Sequence, residues 1–154
     1  MSTIMEQARR GGCKELVRKI AEKERVSEEF VRNGIASGRI VVPRNPVHDP
    51  EPCAIGEGLS IKVNVNLGTS RDIVDLDAEL EKLEVSLKYG ADSIMDLSTG
   101  GDIDAIRTRL LKECPVIMGS VPIYQTGLTA ARNNAVVDMS EDDIFNGIER
   151  HAKD

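Results

Sequence analysis

Tryptophan is absent from the 154 residues, and phenylalanine and tyrosine contribute only two each. Proteins that hold single-stranded nucleic acid stack its bases on aromatic side chains, so the composition argues against that class. Basic character is short as well: 20 Lys and Arg stand against 26 Asp and Glu, a net charge of −6. The one dense basic spot is Arg9-Arg10, too little for the positive face that grips nucleic acid or an anionic membrane. No apolar run approaches the roughly 18 residues that cross a bilayer. No charged n-region followed by an apolar core opens the chain, so a secretory signal is not expected and a cytoplasmic location is.

Cysteine is scarce and scattered. Cys13, Cys53 and Cys114 are odd in number and form no C-x-x-C pair. A disulfide framework or zinc ribbon is therefore unsupported, and reduced, partly buried thiols are expected. His48 and His151 have no second His or Cys at ligand spacing, so solvated histidines and no metal site are expected.

What remains is ordinary globular material, 40% hydrophobic and 30% charged. The first third reads as helical. Leu16, Val17 and Ile20 give Lys14 to Glu24 one apolar face. Ser27 opens a second helix with Glu28 and Glu29 in its first turn, where the helix dipole favours acids, and Gly38 stops it. Arg39 to Val42 is a short extended run. Pro43 to Ser60 holds four prolines and two glycines and reads as a loop or wrapped arm. A domain boundary is expected there, between a helical segment with its proline-rich arm over 1–60 and a second region over 61–154.

In the second region Ile61, Val63, Val65 and Leu67 alternate with Lys62, Asn64 and Asn66, the period of a strand with one apolar and one polar face. Leu76, Leu80, Leu83 and Leu87 follow at helical spacing. The unit recurs: a strand over Ser93 to Leu97, the loop Ser98-Thr99-Gly100-Gly101, and a helix capped by Asp102. A third strand spans Pro115 to Gly119 and runs on to Tyr124. A short helix follows, and Ser140-x-x-Asp143 opens the last helix. Strand alternating with helix predicts an α/β fold with a parallel sheet and right-handed crossovers. Ligand groups of such folds sit at the C-terminal ends of strands, which singles out Asn66, the Met95 to Gly101 loop and Tyr124. Twenty-nine residues separate Asn66 from Met95 and 29 separate Met95 from Tyr124, one βα unit each. Three strands are too few for an eight-stranded barrel of about 250 residues. The expectation is a partial (β/α)8 barrel behind a helical N-terminal segment, or a small open sheet that pairs with something else.

Three assignments stay open on the residues alone. Met95 and Asp96 are neighbours in one strand, so one of them faces inward. Ser98 to Gly101 before a helix has the form of a phosphate cradle, although Asp102 at the cap opposes an anion and a purely structural turn fits equally. Tyr124 could meet a ligand or pack on the next strand.

Four strings carry a resemblance: Arg39-Ile-Val-Val-Pro-Arg-Asn45, Lys62-Val-Asn-Val-Asn-Leu-Gly-Thr-Ser70, Gly90-Ala-Asp-Ser-Ile-Met-Asp-Leu-Ser-Thr-Gly-Gly-Asp102 and Gly119-Ser-Val-Pro-Ile-Tyr-Gln125. In order and wording they resemble the ThiC family of phosphomethylpyrimidine synthases, over essentially the whole chain. The resemblance implies a (β/α)8 barrel enzyme of thiamine biosynthesis, a homodimer. Its reaction converts 5-aminoimidazole ribonucleotide to hydroxymethylpyrimidine phosphate with S-adenosylmethionine, a [4Fe-4S] cluster and a zinc ion. It places substrate contacts on Asn66, Met95 and Tyr124. The family's C-x-x-C-x₄-C cluster motif and metal-binding histidines have no counterpart here, so these 154 residues alone are expected to be inactive. Two other readings are a hydroxybenzimidazole synthase acting on the same substrate, and a noncatalytic remnant that binds a ribonucleotide or a partner barrel.

Overall fold

The computed structural model describes residues 2–133 and 135–154, Arg132 and Asn133 by backbone alone. The chain divides into two compact units, residues 1–62 with 115–117, and residues 63–114 with 118–154.

The first unit begins with helices α1 (Ile4–Arg9), α2 (Lys14–Glu24) and α3 (Glu28–Ser37). α1 is opened by a capping box: the Thr3 hydroxyl accepts from the Glu6 N–H and the Glu6 carboxylate accepts from the Thr3 N–H. The Thr3-x-x-Glu6 spacing carries that signal in the sequence. Ser27 caps α3 by accepting from the Phe30 N–H at 3.1 Å. The apolar faces meet in a core of Ala8, Val17, Ile20, Ala21, Val31, Ile35, Ile40 and Ala54. The proline-rich stretch is not all loop. Strand β1 (Ile40–Val41) pairs antiparallel with β2 (Ile55–Gly56), so the chain leaves and returns across the prolines to close a two-residue ladder. Glu24, at the end of α2, accepts from the Ser60 N–H and hydroxyl at 2.8 Å each, and pairs with Lys62 at 2.9 Å.

The second unit is a mixed α/β arrangement with a three-stranded sheet, β3 (Asn64–Leu67), β4 (Ser93–Asp96) and β5 (Ile117–Ser120, in this unit from Met118 on), in that order across the sheet. The sheet is parallel, and β3 and β4 align Asn64 with Ser93, Val65 with Ile94, Asn66 with Met95, and Leu67 with Asp96. Helix α4 (Leu76–Lys88) joins β3 to β4, and α5 (Ile103–Glu113) joins β4 to β5. Asp75 caps α4 and Asp102 caps α5, each carboxylate accepting from the N–H three residues on. Leu67, Leu83, Ile94, Ile103, Ile106 and Leu110 are buried. Complete burial of Ile94 or Leu110 contributes about 1.5–3 kcal/mol each. Helix α6 (Pro122–Asn133) starts earlier than the sequence suggests and runs 12 residues. Pro122 stands at its first position, where a missing N–H costs nothing and the fixed φ suits a helix. Helix α7 (Glu141–Ala152) carries the expected Ser140–Asp143 capping box. Among the described residues the sheet does not close into a barrel.

Candidate functional site

The period of two gives the β3–β4 ladder two faces. Val65, Leu67, Ile94 and Asp96 share one, Asn64, Asn66, Ser93 and Met95 the other. On the first face Leu67, Ile94 and Asp96 are buried; on the second Asn64 and Asn66 are exposed and Ser93 and Met95 half-buried. The register therefore answers which of Met95 and Asp96 shares a face with Asn66: it is Met95.

On the exposed face the polar side chains are joined. The Ser93 hydroxyl donates to Asn64 Oδ1 at 2.8 Å, and Asn64 Nδ2 donates to Asn66 Oδ1 at 3.0 Å. Beside Asn66, Met95 reaches toward β5. A Cβ on Gly119 would lie 2.9 Å from Met95 Cε and 3.1 Å from its Sδ, so glycine leaves the thioether its room. Asn66, Met95 and Gly119 thus form a strip across the three strands. Asn66 and Met95 are each the next-to-last residue of their strand, near the ends where ligands of parallel sheets collect. Tyr124 lies beyond the ladder, in the first turn of α6, and is 47% exposed.

The polar groups of the buried face are engaged internally. Asp96 accepts from the Ser98 N–H at 2.9 Å and from the Ser98 hydroxyl, which in turn accepts from the Thr69 N–H at 3.2 Å. The Thr69 hydroxyl donates to Gly100 O at 2.7 Å, and the Thr99 N–H donates to Thr69 O at 2.8 Å. These bonds stitch the loop after β3 to the loop after β4. A Cβ on Gly100 would lie 1.9 Å from Ser70 O, so the two backbones touch where only glycine fits. The N–H groups of Ser98 and Thr99 are thus both taken up within the protein.

A second polar cluster escaped the sequence. Arg107 on α5 is only 2% exposed. Its guanidinium donates to Asp104 Oδ1 at 2.7 Å, Gln125 Oε1 at 2.9 Å and, through Nε, Asp154 Oδ2 at 2.8 Å. His151 joins this cluster and is not solvated. Its Nδ1 lies 2.7 Å from the Ser120 hydroxyl and its Nε2 2.8 Å from Gln125 Oε1. Arg107 Nη1 lies 3.1 Å from the same Nε2, so the ring sits among a guanidinium donor, the Gln125 amide and the Ser120 hydroxyl. Burial first, and then the Arg107 charge, pull the His151 pKa below its ordinary value, against the opposing pull of Asp104, Asp154 and Asp96. His48 is half-buried, with its backbone N–H donating to Asn45 Oδ1 at 3.2 Å. Nothing in the local sequence marks these contacts, because the partners of His151 lie 26 to 44 positions away.

Cys53 and Cys114 are buried and Cys13 half-buried. Among the described residues, no three His, Cys, Asp or Glu side chains converge to hold a metal ion. No described helix is long and apolar enough to cross a membrane.

The sequence profile of the radical SAM ThiC family matches residues 3–154. The chain belongs to that family. It is 54% identical to a phosphomethylpyrimidine synthase of Thermus thermophilus over 99% of its own length. It is 48% identical to the enzyme of that name from Pyrococcus furiosus over the same share, and 45% identical to phosphomethylpyrimidine synthase 1 of Methanosarcina mazei over 98%. The chain spans only 35–36% of the length of these relatives. Membership in a radical SAM family implies S-adenosylmethionine and an iron–sulfur cluster in the full-length enzymes. Such clusters are held by cysteine thiolates that converge, and the cysteines present here do not fit that requirement.

Proposed function

We propose that the chain forms the first βα units of a (β/α)8 barrel in a phosphomethylpyrimidine synthase, and that the Asn66–Met95 strip is part of its substrate site. Family membership supports the enzyme class. The observation that carries the site is the register of β3 on β4, which sets an exposed amide beside a half-buried thioether near the C-terminal end of a parallel sheet. An open sheet with β3 and β5 at its edges, and α7 with Phe145 66% exposed, suit a barrel whose remaining strands lie in other residues.

The substrate on this reading is 5-aminoimidazole ribonucleotide and the product hydroxymethylpyrimidine phosphate. Asn66 offers an N–H₂ donor to an acceptor on the substrate. Met95 supplies a polarizable wall for a flat ring. Tyr124, whose phenol both donates and accepts, is a third substrate contact on this reading. The cluster and S-adenosylmethionine supply radical chemistry when bound, held together with a zinc ion by residues other than these. The whole enzyme works as a cytoplasmic homodimer.

The test is Asn66→Ala in the intact gene product, assayed anaerobically with 5-aminoimidazole ribonucleotide and S-adenosylmethionine. The expected outcome is a kcat/KM lowered about tenfold to a hundredfold, the cost of leaving one polar group of a substrate unpaired. Unchanged kinetics would remove Asn66 from the site. A hydroxybenzimidazole product would keep the site and change the reaction.

A further inference from the structure

A carboxamide has two ends, and which end meets a ligand decides what that ligand must carry. On the exposed face of the ladder the choice is made by two residues that need touch no ligand themselves. The Ser93 hydroxyl donates to Asn64 Oδ1 at 2.8 Å, which turns Asn64 Nδ2 toward Asn66. That Nδ2 donates to Asn66 Oδ1 at 3.0 Å. With its oxygen engaged by a same-face neighbour two residues away, Asn66 presents its N–H₂ outward.

We infer that Ser93 and Asn64 are positioning residues that fix Asn66 as a hydrogen-bond donor, so that the site selects a ligand atom that is an unprotonated acceptor. The inference rests on the reading of Asn66 as a substrate contact. In a ribonucleotide the acceptor is a phosphate oxygen or an oxygen or ring nitrogen of the nucleoside. Asn64 and Asn66 are exposed and Ser93 half-buried, so substitution acts on amide orientation with little effect on folding.

The polarity of the relay can be reversed by design. The carboxylate introduced by Asn64→Asp has no proton to give. It accepts from Ser93 and from Asn66 Nδ2, and so turns the Asn66 oxygen outward. Asn66→Asp reaches the same end directly, offering acceptors alone.

The test is calorimetric binding of 5-aminoimidazole ribonucleotide, and of the corresponding nucleoside lacking the phosphate, to the intact gene product and its variants. Asn66→Ala, Asn66→Asp and Asn64→Asp are each expected to weaken ribonucleotide binding about tenfold. Combining Asn64→Asp with Asn66→Ala is expected to add nothing further, the signature of a residue acting through another. Ser93→Ala loses a smaller factor, and Ser93→Thr, which keeps the hydroxyl, restores it. If the Asn66 and Asn64 variants weaken the ribonucleotide but leave the nucleoside unaffected, the acceptor is the phosphate; if they weaken both, it belongs to the nucleoside. Asn66→Ala binding like the parent would overturn the substrate reading and this inference with it. Asn66→Ala weak but Asn64→Asp unchanged would overturn the relay alone. Full affinity in Asn66→Asp would show that Asn66 serves as an acceptor, which also overturns the relay.

Discussion

Each face of the β3–β4 ladder carries polar side chains, and the two sets are used in opposite ways. On the buried face Asp96 commits its carboxylate to Ser98, and the bonds continue through Thr69 to Gly100. Every link ends on protein. On the exposed face the chain of bonds from Ser93 through Asn64 stops at Asn66, whose amide keeps a donor facing out. One network closes two loops on each other; the other ends in a group offered to whatever lies above the sheet. What separates the two networks is where the last hydrogen bond goes, onto protein on the buried side and to an outward-facing amide on the exposed one.

The widest separation between the faces is expected in stability. Asp96→Ala leaves the buried Ser98 N–H and hydroxyl without their acceptor and is expected to cost about 2 kcal/mol or more, read by thermal or urea unfolding. Asn66→Ala, one strand away, is expected to fall within about 0.5 kcal/mol of the parent in the same assay, because its site is exposed. Equal losses at the two positions would erase the distinction.

A smaller effect is expected from pH. His151 belongs to an internal network, and its pKa lies below the ordinary 6.5 because burial, and then Arg107, oppose its protonation. The unfolded chain therefore binds a proton more readily than the folded one, and stability rises with pH across that interval. Stability is expected to fall as pH drops below about 6.5 toward the depressed folded value. His151→Gln is expected to flatten that part of the profile. A slope that survives the substitution would assign it to another group.

Much of the second unit was legible. The alternation over Ile61 to Leu67 announces a strand, the leucines at helical spacing announce α4, and Asp102 and Ser140 mark helix starts with their side chains. What local pattern cannot carry is tertiary partnership. The strand begins at Asn64 rather than Ile61, where its partner β4 begins at Ser93, and the residues before it, Ser60 and Lys62, bond to Glu24 instead. The β1–β2 ladder is invisible because it joins two residues to two others across a stretch of prolines. Alternation could say that Met95 and Asp96 face opposite ways, and only pairing with Leu67 and Asn66 says which way each faces. Tyr124 read as the tail of a strand because the apolar run continues through Val121 and Ile123, while the proline between them starts a helix. Arg107 reads as one more charged helix residue until Asp104, Gln125 and Asp154 close around it.

On the proposed reading, ligand meets the Asn66–Met95 face and not the other side of the sheet. The chain has five methionines, and Met95 and Met118 stand on neighbouring strands, Met118 adjoining the Gly119 that faces Met95. Successive residues of a strand point to opposite faces, so the two methyl groups report on opposite sides. The direct measurement is a titration of methyl-labelled intact gene product with 5-aminoimidazole ribonucleotide, followed by the methionine methyl signals. The expected result is a saturable shift of the Met95 methyl with Met118 unmoved. A shift at Met118 with Met95 silent would contradict it.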